Sequence, residues 1–425
     1  MKGKRRRIWE GCKTLLILLL TCSAVYLAAR TLLPRQLSQF FAYRPQETDS
    51  PGASALSSQT LRPAALSVTG EDRRYALLYH QDDQELDTQV SALLAEALGD
   101  AAAPQRITRR GWEQALLSPG LYCEYLSPMP LDTLCRWLSG QENTALSGVW
   151  AQRLCVTGSG LSYQDRSGGY YLCPLSPDLS DALEALAASL SSNGARFAGE
   201  SEDYGQLRWD TPVLTVTPSL PQLLAEPPLA VSEAGTPGEG LSQLLQALSF
   251  HPQINPLYSI TGGWALHDGG ETLRIDASGA LTYRRSEEES PRFSADDPLD
   301  ATRSLAESTV GAVCGDARLY LREVRQAGDT TVITYGYAYR GASIQLGRDG
   351  WCAQFILRRG AVESFTLKPR RYTALEAYPV LLLPQEQAAA ALPQTGGEQA
   401  LELLYEDGGQ SQNLTPFWAV RTEGR

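Results

Sequence analysis

His80, His251 and His267 are the only imidazoles in this 425-residue chain. Imidazole is the side chain best suited to proton transfer near neutral pH and the commonest metal ligand. These three stand far apart, in neither zinc-ligand nor catalytic-triad spacing. His80 closes a strand-like run and His251 follows a helical one, so both read as capping or loop residues. Asp82, Asp83 and Glu85 would suit paired-carboxylate acid–base work, but they fall in the first turn of a predicted helix, where the helix dipole favours acids. Asp268 and Asp407, each followed by Gly-Gly, are turn signals. No nucleophile elbow, Ser-x-x-Lys pair, His-Glu-x-x-His, P-loop or dinucleotide fingerprint occurs. Leu392–Gly396 fits the sortase sorting pattern. It lacks the following apolar helix and basic tail, and reads as a helix-ending turn. No catalytic, cofactor-binding or metal-ligating residue is assigned, and no cofactor and no enzymatic activity are expected.

The elements that carry these residues begin with an apolar run. Residues 1–13 hold six basic side chains against Glu10. Residues 14–33 then run apolar as far as Arg30, and twenty helical residues span roughly the 30 Å hydrocarbon core. No small-x-small cleavage site follows, so an uncleaved anchor is preferred to a signal peptide. The positive-inside rule places 1–13 in the cytoplasm and the bulk of the chain outside the cell membrane, as a single-pass protein. Residues 34–65, rich in Pro, Gln, Ser and Thr, read as a flexible stalk.

The formal charge is −11, and the portion beyond the basic tail is near −16, which argues against nucleic acid as a partner. Six cysteines lie beyond the anchor: Cys123, Cys135, Cys155, Cys173, Cys314 and Cys352. Their even number permits disulfides, but their apolar surroundings favour free, buried thiols. The spacing excludes a CxxC redox or zinc site.

Two amphipathic helices are legible in the first half. One carries Leu86, Val90, Leu93, Leu94, Ala97 and Leu98 on one stripe; the other carries Leu179, Leu183, Leu186, Ala187 and Leu190. With the strand-like runs around them they predict an α+β domain over 66–225, and the Pro- and Gly-rich stretch 221–240 reads as a boundary. Beyond it lie a middle α+β domain (240–312) and a C-terminal one (313–425). Their hairpins, Leu273–Tyr283 and Phe355–Phe365, share a design: a strand, a short turn ending in Gly, and a strand. The expected fold is therefore α+β: one N-terminal transmembrane helix, then antiparallel sheets each covered by helices, with a repeated helix–hairpin unit in the C-terminal half. Tyr335, Tyr337 and Tyr339 alternate and share one sheet face, expected as core.

The C-terminal half resembles the YycH and YycI proteins, exported regulators of a two-component system in Gram-positive bacteria. The matching stretches are Ile254–Tyr258, Leu273–Tyr283, Thr331–Ile344, Phe355–Phe365, Ala377–Leu392, Leu401–Asp407 and Pro416–Arg421. Together with the anchor layout they cover roughly residues 240–425. The resemblance implies no enzymatic activity. It also implies association, partly through the membrane helix, with a sensor histidine kinase governing cell-wall metabolism, and pairing with a related YycH- or YycI-like subunit. Small residues Ser23, Ala24, Ala28 and Ala29 would give the kinase helix its closest approach. The alternative function is binding of an envelope component, with Trp264, Tyr337 and Trp418 as ligand-facing aromatics.

Overall fold

The computed structural model describes residues 59–78, 84–197, 200, 219–229, 237–286, 292–293, 297–391 and 399–422. The expected tail and anchor (1–33), His80, Asp82, Asp83 and the sorting-like motif at 392–396 lie outside them. Among the described residues no helix is long and apolar enough to cross a membrane.

The first part is a seven-stranded antiparallel sheet. Its strands are β1 (Ala65–Thr69), β2 (Arg74–Leu78), β3 (Gln105–Ile107), β4 (Gly120–Pro130), β5 (Trp150–Thr157), β6 (Gly160–Asp165) and β7 (Tyr170–Pro174), in the order β2-β1-β4-β5-β6-β7-β3. Alternation along β1 and β4 gives each face its own core. Leu66, Val68, Leu121 and Cys123 face α1 (Gln84–Gly99), α3 (Leu131–Ser139) and α4 (Ser180–Ser189). Ala65 and Tyr122 face α2 (Arg109–Leu117), whose Trp112 and Leu116 are buried with Phe197. The stripe of α1 is buried throughout, from Leu86 to Leu98.

The second part is an eleven-stranded sheet. It is built from β9 (Tyr258–Ile260), β10 (Gly263–Asp268), β11 (Glu271–Asp276), β12 (Leu281–Arg285), β13 (Arg318–Ala327), β14 (Thr330–Tyr339), β15 (Ala342–Leu346), β16 (Ala353–Arg358), β17 (Ala361–Leu367), β19 (Gln399–Asp407) and β21 (Phe417–Thr422). The order is β21-β19-β15-β14-β16-β17-β12-β11-β10-β9, with β13 on β14. Leu266, Leu273, Tyr283, Phe365, Phe355 and Ile333 line one face, under the buried leucines of α5 (Glu239–Ala247) and under α6 (Pro298–Ala306). The Thr302 hydroxyl of α6 lies 3.0 Å from the phenol of Tyr335. The opposite face carries the alternate, more polar residues and is left open over β9–β12, as an antiparallel sheet allows.

This architecture corrects the expected one. The chain is dominated by strands in antiparallel sheets, the second of them mixed because β15 and β19 pair in parallel. The second sheet is open on one face over β9–β12, while over β14 and β15 both faces are buried. Among the described residues no repeated helix–hairpin unit is shown; the two similar hairpins are neighbours in one sheet, β12 pairing with β17 from Leu281↔Leu367 to Arg284↔Ser364. The expected membrane-spanning element has no counterpart among the described residues.

Two boundaries also differ from the sequence reading. Thr60, Leu61, Ala64 and Ala65 are buried, so the end of the expected stalk is part of the fold. Arg62 pairs with Asp87 at 3.1 Å, and Arg318 donates to the carbonyls of Arg62 and Pro63. Pro221–Glu226, read as boundary, lies within strand β8 (Leu220–Glu226). It is the middle strand of a three-stranded sheet between β18 (Arg371–Val380) and β20 (Gln412–Leu414). Leu220, Leu223 and Ala225 are buried despite the flanking prolines, and Tyr405 donates 2.8 Å to the Pro221 carbonyl.

Candidate functional site

The open face of the large sheet forms a cleft over β9–β12. On β11 the residues Leu273 and Ile275 enter the core while Thr272, Arg274 and Asp276 point away; on β12 the same alternation buries Leu281 and Tyr283 and exposes Arg284 beside Thr282. The register sets Thr272 opposite Arg284 and Arg274 opposite Thr282. The two arginines are therefore diagonal neighbours, about 7–8 Å apart at the backbone. Thr282 in turn faces Thr366, and Arg284 faces Ser364. Arg274 and Arg284 are exposed, and neither makes a hydrogen bond or ion pair with any described residue.

Local chemistry holds this frame. Asp276 Oδ1 accepts from the Ser278 N–H at 2.8 Å, the Ser278 hydroxyl at 2.6 Å and the Ala280 N–H at 3.0 Å, while Gly279 takes a φ of 85° to close the turn. A Cβ on Gly263 would lie 2.0 Å from the Ile275 carbonyl oxygen, so only glycine lets β10 approach β11 there. His267 lies on the same face, its Nδ1 2.8 Å from the Thr272 hydroxyl and its ring stacked 5.4 Å from Tyr258. The cleft of about 420 Å³ is lined by Ile260, Thr261, Gly262, Ala280 and the two Thr–Arg rows.

A second surface lies at the other end of the sheet. Tyr378 is 63% exposed, Leu381 99%, Leu383 55% and Phe417 41%. The Trp418 indole N–H donates 2.9 Å to the Leu383 carbonyl, which sets the 378–383 stretch beside edge strand β21. Large apolar side chains left in solvent together mark contact sites.

The three aromatics expected to face a ligand are not brought together. Tyr337 is fully buried: its phenol lies 3.4 Å from the Lys368 carbonyl and accepts from the Arg370 N–H, so it is a core residue. Trp264 and Trp418 are half-buried against the core, on strands separated by seven others. His251 sits in a turn, its carbonyl accepting from the N–H groups of Ile254 and Asn255. Ser23, Ala24, Ala28 and Ala29 lie outside the described residues. The two arginines of the cleft were passed over in the sequence; the signal was present in the alternation of Thr272–Asp276 and Leu281–Arg285, once their register is known.

The titratable groups with strongly shifted equilibria belong to the core. All six described cysteines are free and buried. Burial pushes the Cys155 and Cys314 thiols up to about 12 and Cys173 up to about 11. The same cause raises the phenols of Tyr122, Tyr125, Tyr337 and Tyr372. Asp407 is fully buried and wholly satisfied: the Arg370 fork donates at 2.9 and 3.1 Å, the Tyr372 hydroxyl at 2.9 Å and the Gly409 N–H at 2.7 Å. That is a structural latch, with no lone pair aimed at solvent. Among the described residues no group of three or more His, Cys, Asp or Glu side chains is placed to hold a metal ion.

Compared with known proteins, the chain matches no family model, no curated protein and no solved structure. The resemblance to the YycH and YycI proteins rests on the sequence pattern alone.

Proposed function

We propose that this chain is a non-enzymatic extracytoplasmic accessory protein of a membrane sensor histidine kinase, acting in two-component control of cell-wall metabolism. In this reading residues 14–33 hold it at the cell membrane as a single-pass protein with its N-terminus in the cytoplasm. A related YycH- or YycI-like subunit joins the same assembly.

The observation that carries the reading is the apolar edge at Tyr378, Leu381, Leu383 and Phe417. It suits a protein contact, and it falls within stretches that resemble the regulator family. The anchor supplies a second contact through Ser23, Ala24, Ala28 and Ala29.

The test is crosslinking in cells of the tagged full-length protein, followed by mass spectrometry. A variant with an unrelated anchor, an Ala24→Leu/Ala28→Leu variant and a Leu381→Asp/Leu383→Asp variant are run beside it. Capture of a sensor histidine kinase by the native chain is expected, with several-fold lower recovery for each variant. Absence of a kinase, with cell-wall polymers recovered instead, would replace this reading with envelope binding. Equal kinase recovery by all variants would remove both proposed contacts.

A further inference from the structure

We propose that the cleft over β9–β12 binds a phosphoryl group, held between the guanidinium forks of Arg274 and Arg284 with the Thr282 hydroxyl beneath it. The site is independent of the kinase contact, which lies at the other end of the sheet.

Three observations lead there. Arg274 and Arg284 lie on one face of adjacent strands at diagonal positions fixed by the register, so both forks reach the space above the threonines. Neither cation is neutralised by any described residue, in a protein whose overall charge is −11. Two exposed arginines on one diagonal, with no partner among the described residues, concentrate positive charge over Thr272 and Thr282 in an otherwise acidic chain, a local field that favours an anion between them. The third observation is rigidity. The Asp276 turn, the glycine-dependent approach of β10 and the His267–Thr272 contact fix the backbone that presents the forks.

The geometry selects the kind of anion. One carboxylate is saturated by a single guanidinium fork. Two forks and a hydroxyl match the three acceptor oxygens and near-double charge of a phosphate ester. Asp276 lies at one end of the cleft with Oδ1 committed to its turn, and its charge confines the ligand to the Thr272–Thr282 rows. The open mouth admits the ester's remaining substituent, which can be a soluble glycerol phosphate or a lipid headgroup.

The experiment uses the full-length chain in neutral detergent, titrated calorimetrically with glycerol 3-phosphate, and the same chain mixed with sedimenting vesicles of neutral lipid with or without phosphatidylglycerol. Variants are Arg274→Gln/Arg284→Gln, Arg274→Lys/Arg284→Lys, and Arg325→Gln as a control at an exposed arginine already paired with Glu323. Saturable binding is expected, weakened at least tenfold by the Gln pair, weakened by the Lys pair through loss of the forks, and unchanged in the control. Arginine-dependent binding of glycerol 3-phosphate supports a soluble ester; arginine-dependent recovery on the anionic vesicles alone supports a headgroup. Affinity unchanged in the folded Gln pair, binding in neither arm, or equal binding of a dicarboxylate such as succinate would overturn the proposal.

Discussion

At the residue scale the chain spends its polar chemistry on holding itself together. Arg370 and Asp407 form a bidentate pair with 4% and 0% exposure. Removing one member strands the other charge in the interior, a loss of about 3–5 kcal/mol. Asp407→Asn is accordingly expected to lower the denaturant midpoint strongly with little change in slope. An unchanged midpoint would mean that water reaches Arg370. The buried thiols give a prediction in pH. Their folded equilibria lie above the unfolded value of about 8.5, so between that value and about 11–12 the unfolded chain releases protons that the native one keeps. Stability present below pH 8.5 is lost progressively as pH rises through that window, and the buried phenols act in the same sense above about pH 10. Tm is expected to fall from pH 8 to pH 10.5, with maleimide labelling of the cysteines slow until the protein unfolds. A flat Tm together with rapid labelling at pH 8 would contradict their burial.

At the element scale the glycines that matter are those that let strands approach. Gly263→Ala places a methyl group against the Ile275 carbonyl, so the β10–β11 pairing must shift, at roughly 1–3 kcal/mol. Faster amide hydrogen exchange confined to β9–β12 is the expected readout; uniform exchange across the sheet would show that the pairing adapts. The same strands show how much was legible. The stripes of α1 and α4 and the hairpin closed by Gly279 announce themselves through local periodicity and turn chemistry. Strand β8 does not, because Pro221, Pro227 and Pro228 imitate a linker, while the alternation of Leu223 and Ala225 acquires meaning only beside β18 and β20. The candidate cleft was hidden for a related reason. Arg274 and Arg284 look like ordinary solvated charges until pairing sets them on one diagonal. Tyr337 was legible as core from its alternation with Tyr335 and Tyr339, and its burial removes only the ligand-facing role it had under the alternative function.

At the scale of the whole molecule, the two larger sheets are tied by a few polar bonds. Arg136 on α3 reaches Asp297 and lies 3.4 Å from Asp300, the Trp137 indole donates to Asp300, Arg303 stacks over Trp137 at 4.5 Å, and Ser127 donates to the Leu321 carbonyl. Arg136→Ala is expected to loosen this coupling, so that the calorimetric enthalpy exceeds the van't Hoff value by more than in the native chain. An unchanged ratio would mean that the apolar contacts alone make the sheets unfold together. The merging of the two C-terminal hairpins into one sheet was beyond local reading, because β12 and β17 are separated by long intervening sequence and pair only through tertiary packing.

Strand β8 also sets a timetable. It is complete at Glu226, yet its partners end at Val380 and Leu414. At roughly 5–20 residues per second, the last of them follows by about 10–40 s. Until β18 is made the nascent chain carries an apolar strand with both edges unsatisfied, and until β20 follows one edge stays open, a template for pairing with any neighbouring chain. Truncation before Gln412 makes that interval permanent, and such products are expected to collect in the insoluble fraction.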